Sequence, residues 1–246
     1  MQQLNFTITE NKAIAHDVFH VKLFCAQALA PKPGQFVNLL VDGHYLRRPI
    51  SVCDWDNGTL SLIYKIVGQG TAKLATYTPG QSINALTNLG NGFTAVSAKR
   101  PLLIGGGVGV PPLYYLTKEL IKAGQKPIVV LGFSKTEEVF FADEFAALCE
   151  TKLRVTAQGN SPRRFITDEM NTLDFDAVYS CGPETMLKAI CTQAKPLAPG
   201  HVQLSFEARM ACGFGACMAC SCRTVTGYKR ICKDGPVLTK EEILWT

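Results

Sequence analysis

No run of basic residues occurs in this 246-residue sequence, and its formal net charge is only +5. That balance suits nucleotide phosphates but not a surface that tracks DNA or RNA. The N-terminus, Met1-Gln2-Gln3-Leu4-Asn5-Phe6-Thr7, has neither a charged n-region nor an apolar h-region, so no secretory signal peptide is expected. The uncharged stretch 101–117 is broken by glycines and prolines and is too short to cross a bilayer. Internal repeats and low-complexity segments are absent. What is present is a chain with 47% hydrophobic residues, long enough for two domains or two plus a small appendage. It carries ten cysteines. Without secretion signals, that number argues against a disulfide scaffold and for metal or redox use in a reducing cytoplasm.

Four of the cysteines organise the chain. Within 210–232, Cys212, Cys217 and Cys220 have the spacing C-x4-C-x2-C, and Cys232 follows after eleven more residues. The first three match the plant-type [2Fe–2S] spacing. Gly213 and Gly215 let the loop curl with its N–H groups inward, where they can hydrogen-bond anionic sulfur. Two blander readings stand beside this one. A structural zinc site also uses four Cys, but as C-x2-4-C pairs, which a five-residue step in a Gly-rich loop fits less well. A disulfide or inert set is the other. Cys222 lies two residues past Cys220 and reads as a buried thiol on the strand leaving the loop. A [2Fe–2S] centre carries one electron at a time, so the rest of the chain should show where electrons enter.

The N-terminal third reads as strands at 18–24, 35–41, 50–55, 60–66 and 82–86, separated by turn signals. Asn57-Gly58 marks a type I′ hairpin, which needs positive φ at both central positions. Short strands at this spacing predict a small antiparallel barrel, interrupted by a helix over 71–77. Two spots on it have chemical potential. Arg48, before Pro49, Ile50 and Ser51, offers a fork of donors for a phosphate. The Gly-rich turn at Gly70-Thr71 opens a helix and presents N–H groups to an anion. Either is compatible with a purely structural role, since Arg-Pro at a strand start is common.

The middle third alternates strand and helix: strands at 101–104, 127–132, 153–156, 177–180 and 202–206, helices at 111–122, 141–149 and 183–194. This predicts βαβ units and a parallel sheet with ligands at the carboxyl ends of the strands. Gly105, Gly106, Gly107 and Gly109 follow the first of these strands and allow close approach to a pyrophosphate at a helix N-terminus. Pro111 replaces the third glycine of the usual fingerprint. Cys181, Gly182 and Pro183 form a second strand-to-helix turn, where Cys181 either touches a nicotinamide or is simply buried. Cys25, Cys53, Cys149 and Cys191 sit in apolar patterns and read as core.

Taken in order, Arg48-Pro49-Ile50-Ser51, Gly70-Thr71, Gly105 to Pro111 and Cys181 to Met186 resemble the ferredoxin–NADP reductase superfamily. With the C-terminal cysteine loop added, the chain resembles the family of electron-transfer subunits of class 1B dihydroorotate dehydrogenases. The short last gap is the most specific feature, since plant-type ferredoxin modules of oxygenase reductases have a longer one. The resemblance implies a six-stranded flavin-binding barrel over 1–98, a Rossmann-like parallel α/β nucleotide domain over 99–206 and a [2Fe–2S] subdomain over 207–246. It implies FAD with Arg48 at the pyrophosphate, Ser51 near the isoalloxazine N5, Ile63, Tyr64 and Lys65 along the flavin, and Gly70 and Thr71 at the phosphate. Ile50 stands where the superfamily often has Tyr, so stacking by that residue is absent. Gly105 to Gly109 would face the dinucleotide and Cys181 to Pro183 its reactive ring, with Cys212, Cys217, Cys220 and Cys232 as metal ligands.

The resemblance also implies an FMN-containing, dihydroorotate-oxidising catalytic subunit as partner, in a cytoplasmic heterotetramer of two copies of each. No residue of this chain looks like a dihydroorotate base, so no catalytic residue is assigned. Electrons would pass from FMN through [2Fe–2S] and FAD to NAD⁺. NAD-using relatives often carry an acidic stretch that here reads Thr156 to Phe165 without a carboxylate; Ser161, Arg163 and Arg164 are either donors to a 2′-phosphate or a solvated loop group. Phe214 and Met218 are either partner contacts or shields of the cluster. Two rival functions are a stand-alone flavin reductase for a ferredoxin or oxygenase, and a non-enzymatic, zinc-stabilised binding module.

Overall fold

The computed structural model describes residues 1–156 and 165–245. Six strands close an antiparallel barrel: β1 (Gln2–Ala15), β2 (Val18–Phe24), β3 (Phe36–Leu40), β4 (Arg48–Asp56), β5 (Thr59–Lys65) and β6 (Ser82–Leu89), in the spatial order β1-β2-β5-β4-β3-β6. The barrel expected from the sequence is therefore present. β1 is the one strand absent from those expected: mostly polar, it sends Phe6 and Ile8 alone among its residues into full burial. The β4–β5 turn has Asn57 at φ 41° and Gly58 at φ 87°, the type I′ geometry its sequence demands. Alternate residues such as Val37, Leu39, Leu60 and Leu62 fill the interior. Helix α1 (Gln69–Ala75) caps the barrel, with Leu74 fully buried beneath it.

The second layer is a six-stranded sheet. Five of its strands, β7 (Pro101–Gly106), β8 (Ile128–Phe133), β9 (Glu150–Val155), β10 (Ala177–Cys181) and β11 (Val202–Ser205), are parallel, in the order β11-β10-β7-β8-β9, and an antiparallel strand from the C-terminal segment joins at the β11 edge. The near-continuous apolar sequences of β7 and β8 reflect a sheet covered on both faces. Helix α2 (Pro111–Lys122) starts with two prolines and stops at Gly124, φ 79°. Its end is a Schellman motif: the Gln125 N–H bonds the Leu120 carbonyl at 3.0 Å and the Gly124 N–H that of Ile121 at 2.9 Å. Helix α4 (Glu184–Gln193) matches the expected segment. Helix α3 (Ala142–Ala146) is shorter than the 141–149 expected, because Phe141 is left-handed at φ 59° and Glu150 already opens β9. Phe141 takes that conformation within an aromatic group in which its ring meets His20 and Tyr114 edge-on.

Helix α2 also joins the layers. Leu113, Leu116 and Leu120 share one apolar cluster with Val18, Cys53 and Ile63 of the barrel. Full burial of each such leucine contributes about 1.5–3 kcal/mol. Lys118 reaches across to Asp54 at 2.7 Å.

After β11 the chain forms the cysteine loop, then the hairpin β12 (Ser221–Thr224) and β13 (Gly227–Arg230). It returns as β14 (Val237–Thr239), which pairs antiparallel with β11 as the last strand of the sheet. The cysteine-bearing segment is thereby pinned at both ends: the Phe206 N–H donates to the Pro236 carbonyl at 2.9 Å and the Asn91 N–H to that of Gly235 at 2.7 Å. No helix among the described residues is long and apolar enough to cross a membrane.

Gly90, just past β6, has φ 69°, and a Cβ there would lie 2.7 Å from both the Gly235 oxygen and Pro236 Cδ. Gly90→Ala should therefore lower stability by more than about 1 kcal/mol, read from the urea midpoint; an unchanged midpoint would show that this junction is not under steric constraint.

Candidate functional site

A cavity of about 320 Å³ opens where β4, β5 and α1 face the sheet. Arg48, Pro49, Ile50 and Ser51 line one wall, and Ile63, Tyr64 and Lys65 another; Thr71 and Cys181 also reach it. Residues from distant parts of the sequence, Arg48 to Cys181, are thus gathered around one cavity. Gly70 is buried behind them, and a Cβ there would run into the Arg48 guanidinium. Glycine at this position is what lets Arg48 lie against the helix start. Arg48 itself donates to the Leu46 carbonyl and meets His44 Nδ1 at 3.1 Å. The Thr71 hydroxyl caps α1, accepting from the Val67 N–H at 3.0 Å and donating to the Gly68 carbonyl at 3.1 Å. Tyr64 directs its hydroxyl to Asn11 Oδ1 at 3.1 Å, and burial pushes its pKa up despite that bond.

A second cavity, about 820 Å³, lies at the carboxyl ends of the parallel strands. Gly106, Gly107, Gly109, Gly182 and Pro183 line it. Gly105 does not: it sits under α2, where a Cβ would be 2.9 Å from Val110 Cγ2. At Gly109 a Cβ would strike the Cys181 carbonyl, so glycine here permits the two strand ends to touch. Pro111 and Pro112 remove N–H donors from the first turn of α2, so the glycine turn contributes more to an anion site than that helix start does. Ser161, Arg163 and Arg164 lie outside the described residues. Two wall residues that the sequence reading passed over are Arg154, held by Glu169 at 2.8 Å through Nε, and Asp168. Neither belongs to a local motif.

Lys65, Val108 and Glu207 line both cavities, so the two meet there. Lys65 pairs with Glu138 at 2.7 Å, and this bond holds the Glu138 carboxyl below its ordinary value. Burial pushes the Cys181 thiol up to about 12, with the Glu207 charge adding to the effect. Cys181 is consequently a neutral thiol at pH 7. Glu207 follows β11 without any sequence signature, and only the fold brings it to Cys181.

The four predicted ligand cysteines form two pairs. Cys217 lies near enough to lower the Cys212 thiol, and Cys220 near enough to raise that of Cys232. Gly213 and Gly215 have φ 77° and 93°, and Met218 is left-handed at 61°. The loop N–H groups turn inward, with Ala216 donating to Cys212 Sγ and Cys232 to Cys220 Sγ, both at 3.3 Å. Burial raises the Cys212 thiol, but the N–H groups of Phe214, Cys217 and Ala216, together with the Cys217 thiol, outweigh it and bring its pKa down to about 6. Burial and the neighbouring Cys220 push Cys232 up to about 12. Cys222, expected to be buried, is only half-buried, because β12 is one strand of a two-stranded hairpin with little to cover it. Among the described residues no three ligating side chains converge on one metal-ion point. Two thiol pairs with inward amides suit a dinuclear iron–sulfur centre, with two cysteines to each iron.

Cys220 and Cys232 are buried and Cys217 is exposed. Under the buried pair lies an apolar layer from the barrel, Phe36, Leu86 and Leu89, with Met210 packed against it. Phe36 and Met210 also line the smaller cavity. On the outer side Phe214 and Met218 are 45% and 52% exposed.

Residues 207–244 match the family described as the iron-sulfur cluster binding domain of dihydroorotate dehydrogenase B, and residues 103–192 the oxidoreductase NAD-binding domain. The dihydroorotate dehydrogenase B (NAD(+)) electron transfer subunit of Geobacillus sp. (strain WCH70) is 40% identical over 260 aligned positions, covering 99% of both chains. The chain belongs to this family of electron-transfer subunits. The family member of Bacillus caldolyticus is 44% identical over 226 positions, covering 87% of each chain. Among solved structures, one described as an NADH-dependent reduced ferredoxin-NADP oxidoreductase superposes with a TM-score of 0.85 at 28% identity, covering 98% of this chain and 90% of its own. Phthalate dioxygenase reductase shares the fold, with a TM-score of 0.71 at 16% identity over 91% of this chain and 87% of its own. As in the rest of the family, then, the cysteine loop is the cluster-binding part and the glycine-rich sheet the NAD-binding part.

The thiol energetics give a pH prediction for metal-free protein. The thiolate is the nucleophile, so iodoacetamide should label Cys212 at a rate that is near its plateau at pH 7.5 and falls as pH drops through about 6, followed by peptide mass spectrometry. Cys232 should resist labelling throughout that range. Equal pH profiles for the two would contradict the assigned hydrogen bonds.

Proposed function

We propose that this chain is the electron-transfer subunit of an NAD⁺-linked dihydroorotate dehydrogenase in pyrimidine biosynthesis, and that it carries electrons between a catalytic partner and NAD⁺. In this reading the smaller cavity holds FAD, the larger one the nicotinamide dinucleotide, and Cys212, Cys217, Cys220 and Cys232 a [2Fe–2S] cluster. When bound, these groups supply the redox chemistry, the flavin being the one able to exchange both a hydride and single electrons.

The chain's own residues position and insulate. Arg48 and the α1 start behind Gly70 offer positive charge and N–H groups to the flavin pyrophosphate. Ser51 presents a hydroxyl and Ile63 and Tyr64 an apolar wall along the ring. Lys65 and Glu207 stand where the two cavities meet and would orient the nicotinamide against the flavin. Cys181, neutral there, adds a polarizable contact without a competing charge. Gly106, Gly107, Gly109, Gly182 and Pro183 form the dinucleotide side. The partner reads as an FMN-containing, dihydroorotate-oxidising subunit in a heterotetramer of two copies of each chain. Phe214 and Met218, exposed beside the exposed Cys217, are the apolar contacts it would cover.

The observation that carries this reading is the sharing of walls. Phe36 and Met210 belong both to the flavin-sized cavity and to the apolar layer beneath Cys220 and Cys232, while Lys65, Val108 and Glu207 join that cavity to the dinucleotide side. The smaller cavity thus adjoins both the cysteine loop and the dinucleotide side, which supports electron flow through a flavin held between them.

Co-expression with an FMN-type dihydroorotate-oxidising subunit should yield a stable complex that reduces NAD⁺ with dihydroorotate. In that complex Cys232→Ser should keep FAD, lose cluster iron and cut dihydroorotate-to-NAD⁺ turnover by at least about 10-fold. Absence of a complex and of coupled activity would defeat the partner assignment; full iron content in the Cys232→Ser protein would defeat the fourth ligand.

A further inference from the structure

Asn38 is an oddity of the barrel. It sits mid-strand in β3, is 1% exposed, and its carboxamide oxygen has no hydrogen-bond partner. A buried polar atom left unpaired costs stability, so an apolar side chain of similar size would suit the barrel better. Like Phe36 two residues before it, Asn38 projects towards the cysteine loop. Its Nδ2 donates to the Cys212 carbonyl at 3.3 Å, 174 residues away in sequence. The amide also lies close against Gly213, where any Cβ would collide with Nδ2. Gly213 has φ 77°, a conformation suited to glycine. The backbone of Asn38 is itself held from below, its carbonyl accepting from Arg47 Nη1 at 3.2 Å.

The peptide plane turns this contact into an effect on the loop. In a trans peptide the C=O and the following N–H point in opposite directions. With the Cys212 carbonyl turned down to Asn38, the Gly213 N–H is turned away from the barrel, into the loop. The amides of Phe214, Ala216 and Cys217 act on Cys212 from the same loop, with Ala216 N–H 3.3 Å from Cys212 Sγ. Donors aimed at cluster sulfurs set the reduction potential of iron–sulfur centres.

We propose that Asn38 is a positioning residue for the centre held by the cysteine loop: by anchoring the Cys212 carbonyl it orients the Cys212–Gly213 peptide and thereby raises the potential of that centre. The proposal rests on the reading of the four cysteines as a [2Fe–2S] site. Removing the anchor frees the peptide to rotate and withdraws a donor that favours the more negative, reduced form. A carboxylate in the same place also repels the carbonyl and adds negative charge nearby.

The test is a spectroelectrochemical titration of the anaerobically purified full chain, wild type against Asn38→Leu and Asn38→Asp, with iron, sulfide and FAD contents, far-UV circular dichroism and the electron paramagnetic resonance spectrum of the reduced state. The expected result is a potential that falls from wild type to Asn38→Leu and further to Asn38→Asp, with altered g-values and unchanged FAD. A variant that keeps FAD and its circular dichroism but takes up no iron also supports the anchor, since Cys212 then needs it to bind at all. Coincident potentials and g-values at full iron content would overturn the proposal, as would loss of FAD and of fold in both variants, which would make Asn38 a residue of the barrel alone. Wild-type protein without iron or sulfide would instead defeat the cluster reading itself, and is distinguished by that measurement.

Discussion

Phe36 has the buried cysteines on one side and the barrel cavity on the other. This contact is the constraint on which the remaining architecture depends. Electron exchange weakens steeply with separation, so a cysteine loop appended anywhere else on the barrel would be useless to a group in the cavity. The fold secures the contact in three ways. Leu86 and Leu89 extend the apolar layer beneath the loop. The backbone bonds from Phe206 to Pro236 and from Asn91 to Gly235 pin both ends of the segment. Finally, β14 sews the chain into the edge of the sheet, so the loop cannot swing away without unpairing a strand.

The electrostatics of the site run in the same direction. Among the described residues, both cations on the wall of the larger cavity are tied, Lys65 to Glu138 and Arg154 to Glu169. Cys181 and Cys232 are held neutral by burial, while Cys212 is drawn to its thiolate by backbone donors. Loading a cluster would therefore release the Cys232 proton, and the outer side of the loop, at Cys217, is open. The same asymmetry leaves Cys217 exposed and sets Cys220 and Cys232 against the barrel.

Much of this was legible in the chain because the signals are local. Asn57-Gly58 can hardly be anything but a hairpin turn, the cysteine spacing encodes a loop that curls on its glycines, and Arg48 to Ser51 and Gly106 to Gly109 lie at strand ends where ligands gather. What was not legible depends on contacts between distant segments. β1 is too polar to announce itself as a strand and is recruited by pairing with β2 and β6. α3 is cut short because aromatic packing holds Phe141 in a left-handed turn that no propensity scale anticipates. Glu207, Arg154 and Asn38 carry no motif, and each acquires meaning only from a partner on another segment of the chain. Cys222 is half-buried and not buried, because its spacing from Cys220 carries no information on whether the strand it enters is covered, and β12 lies in an exposed two-stranded hairpin.

The central claim is that the thiol-held centre and the cavity-bound flavin form one continuous electron path within a single chain. Anaerobic stopped-flow mixing of the isolated, cofactor-loaded protein with NADH tests it most directly, following the flavin band and the iron–sulfur bands together. The account predicts that the iron–sulfur bands bleach after the flavin at a rate independent of protein concentration. An iron–sulfur signal that stays oxidised beside reduced flavin, or that bleaches in proportion to protein concentration, would contradict it.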